Sequence, residues 1–353
     1  MKRLLKKLLP SWLIQLISRL AKLPGLMLLP IFKSNPLLAS MYYAVFSRQF
    51  GREHKAVLAG KAQYQKSLKD IGESSVLLRR NIHRIEKGLI MQPRREVFAE
   101  SFIGETVLIY ERAIKHGNIN TEEKKWITDV LSEYFSVVKD TKIIEKARIK
   151  FNCCVKEDET TIKYVPYPFS DLPELDISYE QLHKLFIKRR SVRWYQEKPV
   201  PMELIEKAVN LATLAPSACN RQPYKFYVSE SKKKAGEIAK CAGGTPGWAD
   251  GIPCTIVIVG DLSAYPDERD RHLIYIDGSL AAMQLMLAFE TLGLSTCSIN
   301  WPDIEGAELK LEKLLELKSY ERPVMLLSVG YAKNKGGIPY SQKKTANYIF
   351  KKV

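Results

Sequence analysis

The sequence predicts an α+β fold, a mixed sheet flanked by helices and preceded by an all-helical N-terminal region. Three observations carry that prediction. Long helical patterns fill residues 53–165. Short β-branched or aromatic runs at 224–228, 254–260 and 323–330 then alternate with helical patterns, as sheet strands do. Between the two regions, Pro166, Pro168 and Pro173 interrupt any regular structure. The organisation expected is an arm at 1–52, a helical region at 53–165, a Pro-rich linker at 166–177 and a second domain at 178–353.

The arm carries nine Lys or Arg and no Asp or Glu, more than half of the chain's net charge of +16. Leu4, Leu5, Leu8, Leu9, Trp12, Leu13, Ile14, Leu16, Ile17 and Leu20 are interleaved with those cations. Pro10, Arg19, Lys22, Pro24 and Pro30 break the apolar run before it reaches the roughly 18–20 residues a bilayer needs. A spanning helix is therefore not expected. The mixture fits an amphipathic segment lying on an anionic membrane surface; an arm docked on protein and a signal peptide remain alternatives, the last weakened by the lack of a small-residue cleavage site. Nucleic-acid binding is not expected, because leucine rather than aromatic or polar residues accompanies the cations.

In the helical region, residues 74–91 and 94–116 read as long helices, the second stopped by Lys115, His116 and Gly117. Asn120 with Glu123 marks a helix start, and Trp126, Ile127, Val130, Leu131, Tyr134, Phe135 and Val138 form one apolar stripe. The ionic run Arg79, Arg80, His83, Arg84, Glu86, Lys87 reads as a solvated helix face, with an acidic partner as the alternative. After the linker, Ser178 and Gln181 form a capping box, with Ile177 and Leu182 as a hydrophobic staple.

Two segments of the second domain carry chemistry. Arg189, Arg190, Ser191 and Arg193 crowd a helix end, where guanidinium forks suit phosphate oxygens and the serine adds a neutral donor. A solvated basic helix end is the alternative for such a run taken by itself. Some thirty positions on, Pro216 stops the helix patterned by Leu204, Ile205, Ala208, Val209, Leu211 and Ala212. Ser217, Ala218 and Cys219 are small enough for a planar ligand to approach the backbone, and Asn220 and Gln222 supply amides for a polar ring edge. The six cysteines show no CxxC or Cys/His spacing, so a reduced compartment and no metal are expected.

The Arg189–Arg193 segment and the Pro216–Gln222 loop, taken together, resemble the nitroreductase-like family of FMN-dependent oxidoreductases. The resemblance covers about 179–353 and continues through Trp248 to Pro253, a long helix at 272–293 containing Asp277 and Gly278, and a basic tail. It implies FMN as cofactor and NAD(P)H as donor, with ping-pong transfer to an acceptor of nitro or quinone type. No side chain is implied as catalytic, since the flavin carries the chemistry. It assigns Arg189, Arg190, Ser191 and Arg193 to the phosphate and ribityl end. Pro216, Ser217, Asn220 and Gln222 are assigned to the flavin of a partner subunit in a homodimer. Ser298, Ile299 and Asn300 fall beside the ring, and Lys343 and Lys344 near the phosphate. Trp301 stands where the family often has Gly or an acidic-Gly pair, and would shape access to the ring. Alternatives are oxidase, dehalogenase or flavin-consuming chemistry, or a membrane-associated interaction protein on a non-catalytic flavin fold. A cytoplasmic enzyme, peripheral on the inner face of the membrane, is the expected setting.

Overall fold

The computed structural model describes residues 29–47, 49–116, 118–155 and 162–353. Most of the expected amphipathic arm, residues 1–28, lies outside them. The chain divides into two compact units, Met1–Lys55 and Ala56–Val353.

In the first unit, α1 (Pro36–Tyr42) is capped by Asn35, whose side chain accepts from Leu37 N–H. A π-turn follows at Tyr43–Ser47, and neither element has a buried residue. Its rings associate with one another: Phe32 with Tyr42 and Phe46, and Tyr43 with Phe50 at 4.5 Å.

Helix α2 (Gly51–Ser67) leads into the second unit. There α3 (Val76–Leu89), α4 (Glu100–His116), α5 (Thr121–Val137) and α6 (Lys142–Asn152) surround a core that includes Leu78, Ile82, Ile103, Ile127, Leu131, Tyr134 and Phe151. The expected cap is present, with Asn120 Oδ1 accepting from Glu122 and Glu123 N–H. All of the predicted stripe is buried except Trp126, which half-emerges and donates to Glu86 at 2.9 Å. Helix α4 starts at Glu100 rather than 94. The residues before it are spent on tertiary contacts: Phe98 packs edge-on against Tyr134 and lies over Gly88, and Glu96 O accepts from Lys139 N–H.

The remainder is a four-stranded sheet with helices on both faces. Helices α7 (Tyr179–Lys188) and α8 (Met202–Ala212) precede β1 (Tyr224–Val228); α9 (Lys232–Ala239), β2 (Cys254–Asp261), α10 (Leu273–Thr291), β3 (Ser295–Ile299), α11 (Glu305–Leu315), β4 (Glu321–Gly330) and α12 (Ala346–Ile349) follow. Strand order is β1-β2-β4-β3, every neighbour antiparallel; the parallel component is a single bridge, Ser191 to Thr296. Alternation along β2 sends Val257 and Val259 toward α9 and α11, and Ile256 and Ile258 toward α8 and α10. Pro323 sits in central β4 because the register shifts between Ile258 and Val259, leaving Val324 as an extra residue. A bulge accommodates the missing donor.

Helix α10 is long and apolar enough to cross a membrane by composition, yet half of its apolar window is buried in the protein. It is the core helix, and its two ends position the site.

Candidate functional site

The capping box at Ser178 forms as the sequence predicts, and starts α7. Ile177 and Leu182, expected as a staple beside it, are both exposed. From Arg189 the chain is laid along the edge of the sheet. Val192 N–H donates to Thr296 O at 3.0 Å, Gln196 N–H to Tyr331 O at 2.8 Å, and Lys333 N–H to Trp194 O at 2.9 Å. Val192 and Tyr195 point into the core. The Tyr195 hydroxyl meets Val192 O at 2.6 Å and Ser328 Oγ at 2.7 Å, and burial pushes its pKa far up. Half-buried Ser191 and Arg193 alternate with them, on a backbone pinned from both sides.

Polar atoms along this strip lack partners. Arg189 Nε, Thr296 Oγ1 and Trp301 Nε1 are buried without a hydrogen bond in the protein. Arg193 reaches Ser191 O at 3.3 Å, with its guanidinium 5.9 Å from the Trp248 ring. Burial raises the Cys297 thiol, and Arg193 and Arg189 act in the opposite sense. Burial likewise raises the Glu290 carboxyl, opposed by Lys188, Ser295 and Arg189. Ser298 and Asn300 continue the β3 edge and are exposed, whereas Ile299 belongs to the core. Trp301 packs against that same core. The structure thus brings Arg189, Arg190, Ser191, Arg193, Ser298, Ile299 and Asn300 onto one edge. Lys343 and Lys344 lie on the exposed tail, and among the described residues no hydrogen bond or ion pair joins them to the strip.

The second motif is a strained loop. Cys219, Asn220 and Gln222 all have left-handed backbone, φ 54°, 51° and 49°. Each such non-glycine residue costs on the order of 1–2 kcal/mol, so the surroundings must impose the shape. Asp277 Oδ2 accepts from Ala218 N–H at 2.9 Å, and Ser217 Oγ from Gln222 N–H at 3.1 Å. Gln222 Nε2 donates to Thr213 O at 2.7 Å. Asp277 is 2% exposed; burial raises its carboxyl, opposed by the Ala218 N–H and by Arg221, whose guanidinium lies 5.1 Å from the Tyr265 ring.

Sequence reasoning missed the remaining support. Arg79, read as part of a solvated face, is turned inward: Nε donates to Asn220 O at 2.8 Å, Nη2 to Gln222 Oε1 at 3.1 Å and Nη1 to Glu123 Oε2 at 2.8 Å. Both ends of the Gln222 amide are therefore occupied within the chain. Pro216 is exposed, while Ser217 and Asn220 are half-buried.

The strip and the loop lie at opposite ends of α10. Asp277 serves the loop and Glu290 faces Lys188 and Arg189; their thirteen-residue separation along the helix spans about 20 Å at 1.5 Å per residue. Among the described residues there is no cluster of His, Cys, Asp or Glu able to hold a metal ion.

A model of the Nitroreductase family matches residues 187–246 and 230–331. Iodotyrosine deiodinase 1 of Rattus norvegicus is 24% identical over 275 residues, covering 67% of this chain and 92% of that protein. FMN reductase (NAD(P)H) of Bacillus subtilis is 28% identical over 163 residues, covering 42% of this chain and 64% of that protein. Among solved structures, an FMN-dependent nitroreductase from Clostridium difficile is 24% identical at a TM-score of 0.41, covering 48% of this chain and 98% of that one. Over residues 187–331, where the family model matches, the chain is nitroreductase-like.

Proposed function

We propose that the chain is an FMN-dependent oxidoreductase in which NAD(P)H is the electron donor and a nitro or quinone compound the acceptor, taken up in alternation by a ping-pong sequence. The observation that carries the reading is the β3 edge, where Arg189, Arg190, Ser191 and Arg193 stand beside buried donors with no partner in the protein. Such a row suits a phosphate-bearing cofactor with a polar ring edge. Arg189, Arg190 and Arg193 would hold the phosphate, with Lys343 and Lys344 able to close over it from the tail. The Ser191 hydroxyl would take the ribityl chain, and the backbone at Ser298, Ile299 and Asn300 the ring edge. When bound, FMN supplies the two-electron step. Per turnover one hydride from NAD(P)H and one proton reach the acceptor; a nitro group leaves as nitroso plus water.

We propose a homodimer with FMN at its interface, a reading supported by the separation of about 20 Å along α10, in which Pro216, Ser217, Asn220 and Gln222 serve the other copy's strip. Exposed apolar side chains at Ile276, Leu280 and Met283 of α10, and at Leu182, Phe186 and Ile187 of α7, give the second copy a surface to cover. For the arm we infer an anionic membrane surface at the cytoplasmic face. Ile31, Leu37, Val45 and Phe46 are each more than half exposed in the first unit, beside the cations of the sequence.

Reductive dehalogenation is a second reading, favoured by the similarity along two thirds of the chain to a protein named iodotyrosine deiodinase 1. The test is a visible spectrum of full-length protein before and after anaerobic NADPH and NADH. A flavin band that bleaches is expected. Protein that takes up no FMN overturns the reading, and stoichiometric FMN without bleaching favours the interaction-protein alternative.

A further inference from the structure

Helix α3 holds a second cationic site, next to the strained loop rather than on the β3 edge. Arg79 fastens α3 to that loop through Asn220 O and Gln222 Oε1. The other ionic residues of α3 separate into neutralised and unneutralised groups. Arg79 is paired with Glu123, which is buried, and His83 lies 3.5 Å from Glu86. Arg80 and Arg84, one helical turn apart, form no ion pair among the described residues, although both are half-buried. Like charges at that spacing repel.

Their nearest side-chain partners are aromatic, with Glu105 acting only through space. The charge of Arg80 acts on the Tyr64 phenol through space, opposing the rise that burial gives it, and the Arg84 guanidinium lies 3.7 Å from the Phe102 ring centroid. Burial and then Arg80 lower the basicity of Arg84, while Cys219 of the strained loop and Glu105 of α4 oppose that shift through space. Two half-buried guanidinium groups, one over the Phe102 ring and neither in a carboxylate ion pair among the described residues, leave donor edges for an oxyanion.

We propose that Arg80 and Arg84 of α3, pinned beside the Cys219–Asn220 loop by Arg79, bind an oxyanion of the electron acceptor, so that this enzyme acts on a carboxylate- or phosphate-bearing compound. The inference rests on the flavin reading, because that loop then borders the ring of the second copy. The helical region becomes a wall of the reaction site and the part that selects the acceptor by charge.

The test compares nitrobenzene, 4-nitrobenzoate and 4-nitrophenyl phosphate as acceptors for full-length protein at low salt. A kcat/KM about tenfold or more higher for at least one anion than for nitrobenzene is expected. Arg84→Gln and Arg80→Gln should bring that ratio toward one, mainly through KM, and Arg84→Lys should restore part of it. Benzoate and phenyl phosphate are titrated in parallel by calorimetry, which needs no turnover. Whichever of the two binds identifies the oxyanion, and its affinity should fall in both Gln variants. Equal kcat/KM for all three acceptors, or calorimetric binding that the Gln variants leave unchanged, overturns the proposal. Protein without FMN defeats the flavin reading alone, since the titrations still decide whether Arg80 and Arg84 hold an anion.

Discussion

Arg79 Nε donates to Asn220 O across 2.8 Å, joining helix α3 to a loop 141 positions away in the sequence. The same guanidinium closes on Glu123, whose carboxylate also accepts from Ser74 Oγ and Ser75 N–H. Arg79→Ala removes all three bonds and leaves a buried carboxylate unpaired. A loss of about 3 kcal/mol in unfolding free energy is expected, the scale for breaking a buried pair from one side. Arg79→Lys should recover part of the pairing with Glu123 while losing the fork to Asn220 and Gln222. Urea unfolding of the three proteins measures both steps.

Arg189 has a buried Nε with no partner in the protein. Under the proposed function that donor meets FMN, so Arg189→Gln should weaken FMN binding by about 10- to 100-fold, the range for a charge-assisted hydrogen bond. Fluorescence titration of the apoprotein with FMN gives the ratio directly. An unchanged Kd would remove Arg189 from the site.

Ile276, Leu280 and Met283 fall on one exposed stripe of α10. A charge in its middle should prevent a second copy from covering it. Leu280→Glu is expected to sediment as a monomer and to lose the flavin band, while keeping its helical far-UV signal. A Leu280→Glu dimer with full flavin would refute this interface.

Glu290 is 5% exposed, and burial holds its carboxyl above the ordinary value of 4.5. The native state therefore keeps a proton that the unfolded chain has already released. The carboxylate lowers stability as pH rises through the interval between the unfolded and folded values, and the loss is complete above the folded value. Glu290→Gln removes that loss. Its stability relative to the parent protein should rise as pH increases from about 4 to 7, measured by urea midpoints. A difference that is flat with pH would show that Glu290 does not titrate in this way.

The arm gives a prediction independent of the flavin. With nine cations and no acid in the first 52 residues, the full chain should co-sediment with phosphatidylglycerol-containing vesicles and much less with phosphatidylcholine alone. Attachment of this kind weakens with salt, because each basic residue contributes about 1 kcal/mol through a screened field. Equal partition to both vesicle types would exclude a charge-led surface interaction.

Several features were legible because their causes lie within a few residues. The Ser178–Gln181 box and the Asn120 cap depend on side chains reaching the first turn of their own helix. Strand Tyr224–Val228 begins where Pro223 ends a turn and aromatic side chains take over. The Arg189–Arg193 strip and the Pro216–Gln222 loop stand out as composition, three guanidinium forks and two amides in short runs, and their role toward a cofactor is the reading proposed above. Other features were hidden because their causes are distant. Helix α4 loses its expected first turn to Phe98, which packs on Gly88 and Tyr134.

By itself, the sequence determined the α+β class, the order of strands and helices in the second domain, the caps, and the turn after Pro216. These follow from periodicity, hydrogen-bond inventory and turn chemistry, all short-range properties of the chain. Only the tertiary structure decided that the two motifs stand at opposite ends of α10, and that Gln222 braces its loop with both ends of its amide. It also turned Arg79 inward while leaving Arg80 and Arg84 without a carboxylate. A guanidinium looks the same in sequence whether water, Glu123 or an unpaired neighbour surrounds it; burial and partner geometry, set by contacts more than a hundred residues apart, make the difference.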